Sequence, residues 1–267
     1  MDDRNIPPVC LSIAGLDPSG GAGTIADIKT FSAFGCFAAA AIASVTFQNT
    51  TGVFGAAHQS ADAVLRQVTP IVEDYTIAAV KTGMLPTSEV IAAVADLIQE
   101  NNLKNVVVDP VVRSTSGFDL IDDQALDSLI DHIFPLAVLI TPNIAEAERI
   151  ARIEIRAEQD IVEAANKMRS FGAKNILIKG GHFVSGDDFR RTATDYLFTG
   201  ESLRKFEASF LETSSTHGTG CVLSAAIAAN LALGRELDTA IEISKSFVHE
   251  AIRTAPGLGK GHSPINI

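Results

Sequence analysis

The chain has 267 residues, is 46% hydrophobic and carries a formal net charge of −11 at pH 7. That size supports a large buried core, and the acidic balance argues against a nucleic-acid or anionic-membrane partner. Its three cysteines, Cys10, Cys36 and Cys221, form neither a disulfide framework nor a zinc motif; with an acidic Met-Asp-Asp-Arg start and no apolar run of ~18–20 residues, the expectation is a soluble cytoplasmic protein.

The continuous apolar run Val9–Ala14 predicts a first strand covered on both faces. It leads into Gly15-Leu-Asp-Pro-Ser-Gly-Gly-Ala-Gly23 and a helix over Thr24–Phe34 closed by Gly35. Within that loop Gly21-Ala-Gly-Thr-Ile-Ala26 satisfies the dinucleotide pattern G-x-G-x-x-A, which also requires an acidic residue ~20 positions on. Thr46-Phe-Gln-Asn-Thr-Thr-Gly52 holds no acid, so a nicotinamide site is rejected. A glycine loop closing over a substrate is preferred to a plain tight turn. Ala38–Val45 is a second strand candidate, and residues 36–57 are expected to form a small flap.

Further along, helices are predicted over Ala61–Val72, Ser88–Glu100, Asp123–Ile133, Ile144–Ala151 and Gln159–Phe171. Strands fall between them at Ile77–Lys81, Val106–Asp109, Ala137–Thr141, Ile176–Lys179 and Ala193–Phe198, and helices Thr219–Leu233 and Leu237–Ala255 close the pattern. Gly172 and Gly234 follow helix ends, as Gly35 does. The βαβα order implies an α/β fold: a three-layer, doubly wound, mainly parallel sheet with helices on both faces, in one domain over residues 1–267. Ligands of such sheets sit beyond the C-terminal strand ends. Those ends here carry Gly15 and Asp17, Gln48, Lys81 and Met84, Asp109, Asn143, and Lys179.

Chemistry concentrates in Thr216-His-Gly-Thr-Gly-Cys221, where a glycine turn runs into an alanine-rich helix. Free backbone N–H groups and the helix dipole make such a junction an anion site. A cysteine there is expected to have a lowered pKa, part thiolate near neutrality. An anion cradle holding a basic group suits phosphoryl transfer to a hydroxyl; the bland alternative is a capped helix with a buried cysteine. Walker A and the protein-kinase HRD and DFG elements are absent, so a kinase of this sequence must use Gly218–Cys221 as its phosphate cradle. Asn143 and Glu146, at i and i+3, offer oxygen ligands for Mg²⁺ or an ordinary helix cap. Asp109, ending a Val-Val-Val run, needs a partner if buried. Lys179 either reaches a phosphate or snorkels to solvent. His217 and His182 are loop residues beside the site, without a primary role.

These segments together resemble the ribokinase-like superfamily, and within it the hydroxymethylpyrimidine/phosphomethylpyrimidine kinases of thiamine biosynthesis. The matching pieces are Ala14–Gly23, Gln48-Asn-Thr, Val80-Lys-Thr-Gly-Met-Leu85, Val108-Asp-Pro-Val111, Thr141–Ala147, Lys179-Gly-Gly-His182, Thr216–Cys221 and the closing Gly259–Asn266. The resemblance implies ATP- and Mg²⁺-dependent phosphorylation of 4-amino-5-hydroxymethyl-2-methylpyrimidine, then of its monophosphate. It implies Cys221 as the base, with Gly218, Thr219 and Gly220 cradling phosphate and Lys179 contacting it. Gln48 would pair with the aminopyrimidine edge, Met84 and Val111 would pack on the ring, and Gly15 and Asp17 would border that pocket. Asp109, Asn143 and Glu146 would hold Mg²⁺, and superfamily analogy suggests a homodimer. Phe47 and Arg113 depart from the family pattern beside the pocket. The rivals are a pyridoxal kinase, disfavoured by Gln48 and Gly-Leu-Asp-Pro, and a non-catalytic pyrimidine sensor, disfavoured by the presence of Cys221, Asp109 and Glu146.

Overall fold

The structure, a computed structural model, describes residues 6–112, 120–181, 192–200 and 202–267. Nine strands form one sheet: β1 Val9–Leu16, β2 Phe37–Asn49, β3 Gly52–His58, β4 Ile77–Thr82, β5 Val106–Val108, β6 Leu139–Ile140, β7 Asn175–Lys179, β8 Thr192–Thr199 and β9 Ser202–Ser209. Their spatial order is β3-β2-β1-β4-β5-β6-β7-β8-β9. The six central strands, β2, β1, β4, β5, β6 and β7, run parallel, and antiparallel hairpin partners sit at both edges. The chain winds from β1 out to β2, then returns to β4 on the other side of β1. That reversal opens a crevice at the strand ends.

Among the described residues eight α-helices cover the two faces: α1 Gly23–Ala33, α2 Ala61–Asp74, α3 Ser88–Glu100, α4 Asp123–Ser128, α5 Ile144–Ala151, α6 Glu158–Ser170, α7 Thr219–Ala232 and α8 Leu237–Arg253. Strand alternation feeds two cores. Leu11, Ile13, Val106, Val108, Ile176 and Ile178 face the core that holds α2–α6. Cys10, Val107 and Leu177 face the other, built on α1, α7 and α8. Burial on both sides explains why these strands are continuously apolar.

Two expectations change. The helix predicted over Asp123–Ile133 is α-helical only to Ser128, then widens into a π-turn at Leu129–Ile133 and a 3₁₀ turn at Phe134–Leu136. The tract expected to be a flap is divided. From Phe37 to Val45 it lies in the main sheet beside β1, and from Ser44 onward it also pairs with β3 as a hairpin. The α2 side chain of Gln67 bonds both backbone groups of Ile42, at 2.9 and 3.1 Å, and so covers the sheet edge before that hairpin begins.

Candidate active site

Parallel register aligns the strand ends. Asp109 N–H donates to Thr82 O (2.9 Å), Thr141 N–H to Val108 O (2.9 Å) and Lys179 N–H to Pro142 O (2.8 Å). The residues just past β4 to β7 therefore share one ledge, above which lies a cavity of about 670 Å³. Its lining includes all thirteen residues singled out from the sequence: Gly15, Asp17, Gln48, Met84, Asp109, Val111, Asn143, Glu146, Lys179, Gly218, Thr219, Gly220 and Cys221.

On the ledge, Lys179 Nζ lies 2.9 Å from Asp109 Oδ1 and 4.0 Å from Glu146 Oε2, with both carboxylates nearly fully buried. Burial raises the Glu146 carboxyl above its usual range, and Asp109 adds to the shift; Lys179 only partly opposes it. Burial disfavours the Lys179 ammonium, yet Asp109 and Glu146 outweigh it and hold its pKa high. Lys179 thus serves these carboxylates as a counter-ion, and does not snorkel to solvent. Asn143 forms the helix cap that was the alternative expectation for it. Its Oδ1 accepts Glu146 N–H at 2.9 Å while Glu146 Oε2 accepts Asn143 N–H at 2.8 Å. That capping box of α5 ties the two residues together, and each side chain keeps acceptor capacity toward the cavity.

The turn into α7 has Gly218 as its N-cap, at φ +86°, with no side-chain cap. A Cβ there would also stand 1.8 Å from Gly21 O, so this close approach of the turn and the glycine loop needs a glycine at position 218. Asp17 locks the two together. It accepts Ser19 N–H and Ala22 N–H (2.8 and 2.9 Å), the Ser19 hydroxyl, and His217 Nε2 at 2.7 Å. Burial pushes the Asp17 carboxyl up, but bonds from His217, Ser19 and Gln48 overcome it and hold the pKa at about 2.

Cys221, the third residue of α7, is a half-buried free thiol. Its pKa is not lowered as the sequence suggested. Burial pushes it up to about 11; Lys81 and the Gly23 N–H pull the other way, but Asp109 and Asp27 reinforce the rise. Desolvation and two carboxylates outweigh the helix terminus here.

Sequence reasoning missed two features. One is the fully buried cluster under the cavity floor, where Lys81 Nζ meets both Asp27 oxygens (3.0 and 2.9 Å) and Ser12 Oγ donates to Asp27 Oδ2 (2.6 Å). Lys81 was marked in the sequence as a polar strand end; its partners Asp27 and Ser12 carried no signal. The other is an apolar wing lined by Ala193, Ala208, Leu211, Leu223, Val248 and Ile252, far apart in sequence. Phe47 turns outward over Gly55 and is 54% exposed, so it does not narrow the cavity. Val111 holds φ +33°, a strained conformation for a β-branched residue. Arg113 and His182 lie outside the described residues.

A family model described as phosphomethylpyrimidine kinase matches residues 17–266. The thiamine biosynthesis bifunctional protein ThiED of Geobacter sulfurreducens is 41% identical over 96% of this chain, and the chain spans about half (51%) of that relative. A hydroxymethylpyrimidine/phosphomethylpyrimidine kinase of Rhizobium meliloti is 42% identical, with 97% of this chain and 96% of the relative covered. Among solved structures, the phosphomethylpyrimidine kinase of Clostridium difficile 630 matches with a TM-score of 0.80 at 38% identity, covering 92% of this chain and 99% of that one. An ADP complex of Bacillus subtilis pyridoxal kinase matches with a TM-score of 0.88 at 34% identity, covering 97% of each chain.

Proposed function

This chain belongs to the phosphomethylpyrimidine kinase family, and on that premise we propose its reaction: phosphorylation of 4-amino-5-hydroxymethyl-2-methylpyrimidine, then of the monophosphate, by ATP with Mg²⁺ in thiamine biosynthesis. One observation carries the reading. A single cavity joins the Gln48 amide at one end to the uncapped α7 terminus, Cys221 and a buried carboxylate pair at the other. The apolar wing between β8, β9 and α8 suits a purine ring, and the phosphates then extend toward Lys179 and the α7 amides.

Mg²⁺ fits the ledge. Among the described residues no cluster of three or more His, Cys, Asp or Glu side chains makes a metal site by itself. Asp109 and Glu146 are two hard oxygen donors gathered round a cation, the donor set for an ion that keeps waters and takes phosphate oxygens. When bound, the ion would spread the charge of the transferring phosphoryl group. Asn143 then acts by capping α5 and fixing Glu146. Lys179 exchanges its carboxylate partners for phosphate oxygens. Gly218, Thr219 and Gly220 present amides to the phosphoryl group, and Sγ of Cys221 takes the proton of the substrate hydroxyl. Neutralising Asp109 removes one of the carboxylates that hold the thiol up, which readies Cys221 as a base.

Gln48 pairs with the aminopyrimidine edge, its amide offering donor and acceptor together. Asp17 lines the same cavity as Gln48 and is held ionised beside it. Met84 and Val111 pack on the ring, and Gly15 lets Met84 approach: a Cβ there would lie 3.2 Å from Met84 Sδ. The match to pyridoxal kinases supports vitamin B6 phosphorylation as a second reading. Turnover of ATP with hydroxymethylpyrimidine against pyridoxal separates the two, and the Gln48 amide in the cavity lining favours the pyrimidine. The enzyme works as a cytoplasmic homodimer on small molecules, without nucleic acid or membrane. Support for the dimer comes from Phe47 and Phe54, exposed on the hairpin whose strand β3 is a sheet edge; no helix among the described residues is long and apolar enough to cross a membrane.

A further inference from the structure

We propose that the segment Leu258–Pro264 positions the substrate-recognition hairpin against the phosphate turn and thereby sets affinity for the pyrimidine. This rests on the kinase reading above. Two consecutive residues make the connection. His262 N–H donates to Thr50 O at 2.8 Å, in the turn between β2 and β3, and Ser263 O accepts His217 N–H at 3.2 Å, in the turn before α7. Pro264 continues the second contact as a parallel bridge to His217. Thr50 is two residues from Gln48, and His217 is one residue from Gly218. The strap therefore spans the two ends of the proposed reaction path.

The segment is held on both sides of these contacts. Lys260 N–H and Gly261 N–H both donate to Thr50 Oγ1, at 3.2 and 3.3 Å. Ser263 Oγ accepts Leu258 N–H at 2.9 Å, closing the segment on itself. Beyond it, Ile265 is buried, and Asn266 donates to Ala251 O from its backbone and to Thr254 Oγ1 from its side chain, at the end of α8. The fit leaves no room for a side chain. A Cβ on Gly261 would lie 2.1 Å from Thr50 O, and one on Gly259 would lie 2.2 Å from Thr50 Oγ1.

The need for a strap follows from topology. β3 is an edge strand, so the hairpin carrying Gln48 is paired on one side only. Phosphoryl transfer requires the hydroxymethyl oxygen to be held against the phosphate turn within a narrow range of distance. A hairpin free to fray has to be ordered by each substrate molecule, which weakens its binding; a pre-ordered hairpin does not. Thr50 and the strap are positioning residues acting through Gln48, and neither takes part in the chemistry.

The test uses Gly261→Ala, which pushes the strap away, and Thr50→Val, which keeps the shape but removes the Oγ acceptor. Each should raise KM for hydroxymethylpyrimidine about tenfold, in line with the loss of one or two hydrogen bonds, while KM for ATP stays within about twofold. Thr50→Ser should restore the parent value. Hydrogen exchange over residues 46–52 should quicken in Gly261→Ala and Thr50→Val. In the unsubstituted protein, hydroxymethylpyrimidine should slow exchange in 46–52 and 258–264 together. Equal rises in both KM values, or unchanged KM with unchanged exchange, overturn the proposal. If the parent protein does not turn over hydroxymethylpyrimidine, the kinase reading fails instead, and exchange in the two substituted proteins still decides whether the strap orders the hairpin.

Discussion

At neutral pH Cys221 is a thiol, because burial together with Asp109 and Asp27 sets its pKa at about 11. Alkylation of Cys221 by iodoacetamide, followed by peptide mass spectrometry in ligand-free protein, should therefore have a midpoint near that value; a midpoint below about 8 would restore the helix-terminus expectation. The same shift has a consequence for stability. The folded pKa lies above the ordinary 9.0, so the thiol favours the fold below pH 9 and that contribution is lost as pH rises from 9 through 11. Cys221→Ser should flatten the alkaline decline across that window. On the proposal that Cys221 accepts the substrate's proton once the substrates are bound, Cys221→Ser should cost about 10²-fold or more in kcat, and Cys221→Asp less, because its carboxylate can accept the proton. A serine variant within about threefold of the parent places the proton elsewhere. Gln48→Ala should raise KM for the pyrimidine with little change for ATP, a loss of ~1–3 kcal/mol; equal changes would remove Gln48 from the pocket.

Among the elements, α5 joins stability to chemistry. Its capping box turns the Glu146 carboxylate toward Lys179 and Asp109. Asp109→Asn and Glu146→Gln should each raise the Mg²⁺ concentration giving half-maximal rate, and a Mg²⁺ titration unchanged in both would show that the ledge holds no metal. Most elements were legible because their signals are local. Continuous Val-Val-Val and Ile-Leu-Ile runs marked β5 and β7, and Gly35, Gly172 and Gly234 marked three helix ends at positive φ. β3 and β9 were not legible. β3 reads Gly-Val-Phe-Gly-Ala-Ala-His with no buried residue, and β9 buries only Phe206, so neither carries a hydrophobic pattern. The π-turn after α4 has helical periodicity and is set by packing beneath α3. The strap was visible as a motif, Gly-Lys-Gly-His-Ser-Pro, but its contact with Thr50 lies some 210 positions away in sequence.

Over the whole molecule, the sheet gathers ionisable groups from five separate strand ends into one cavity, where Lys179 faces two carboxylates and Lys81 one. Strand-end position predicted that gathering; the pairing depends on distances that no sequence spacing contains. The Lys81–Asp27 pair is the deepest of these, with both side chains fully buried between β4 and α1. Lys81→Met leaves Asp27 without its cation and should lower unfolding stability by about 3–5 kcal/mol, as breaking a buried pair does. Denaturant midpoints check this, and a loss below about 1 kcal/mol would mean the pair is not held as described. The measurement that bears most directly on function is steady-state ATP turnover by the purified protein with hydroxymethylpyrimidine and, separately, with pyridoxal. Gln48, which lines the same cavity as the proposed phosphate cradle, predicts a higher kcat/KM for the pyrimidine, dependent on Mg²⁺ and on Cys221. Turnover of pyridoxal alone, or of neither compound, would contradict it.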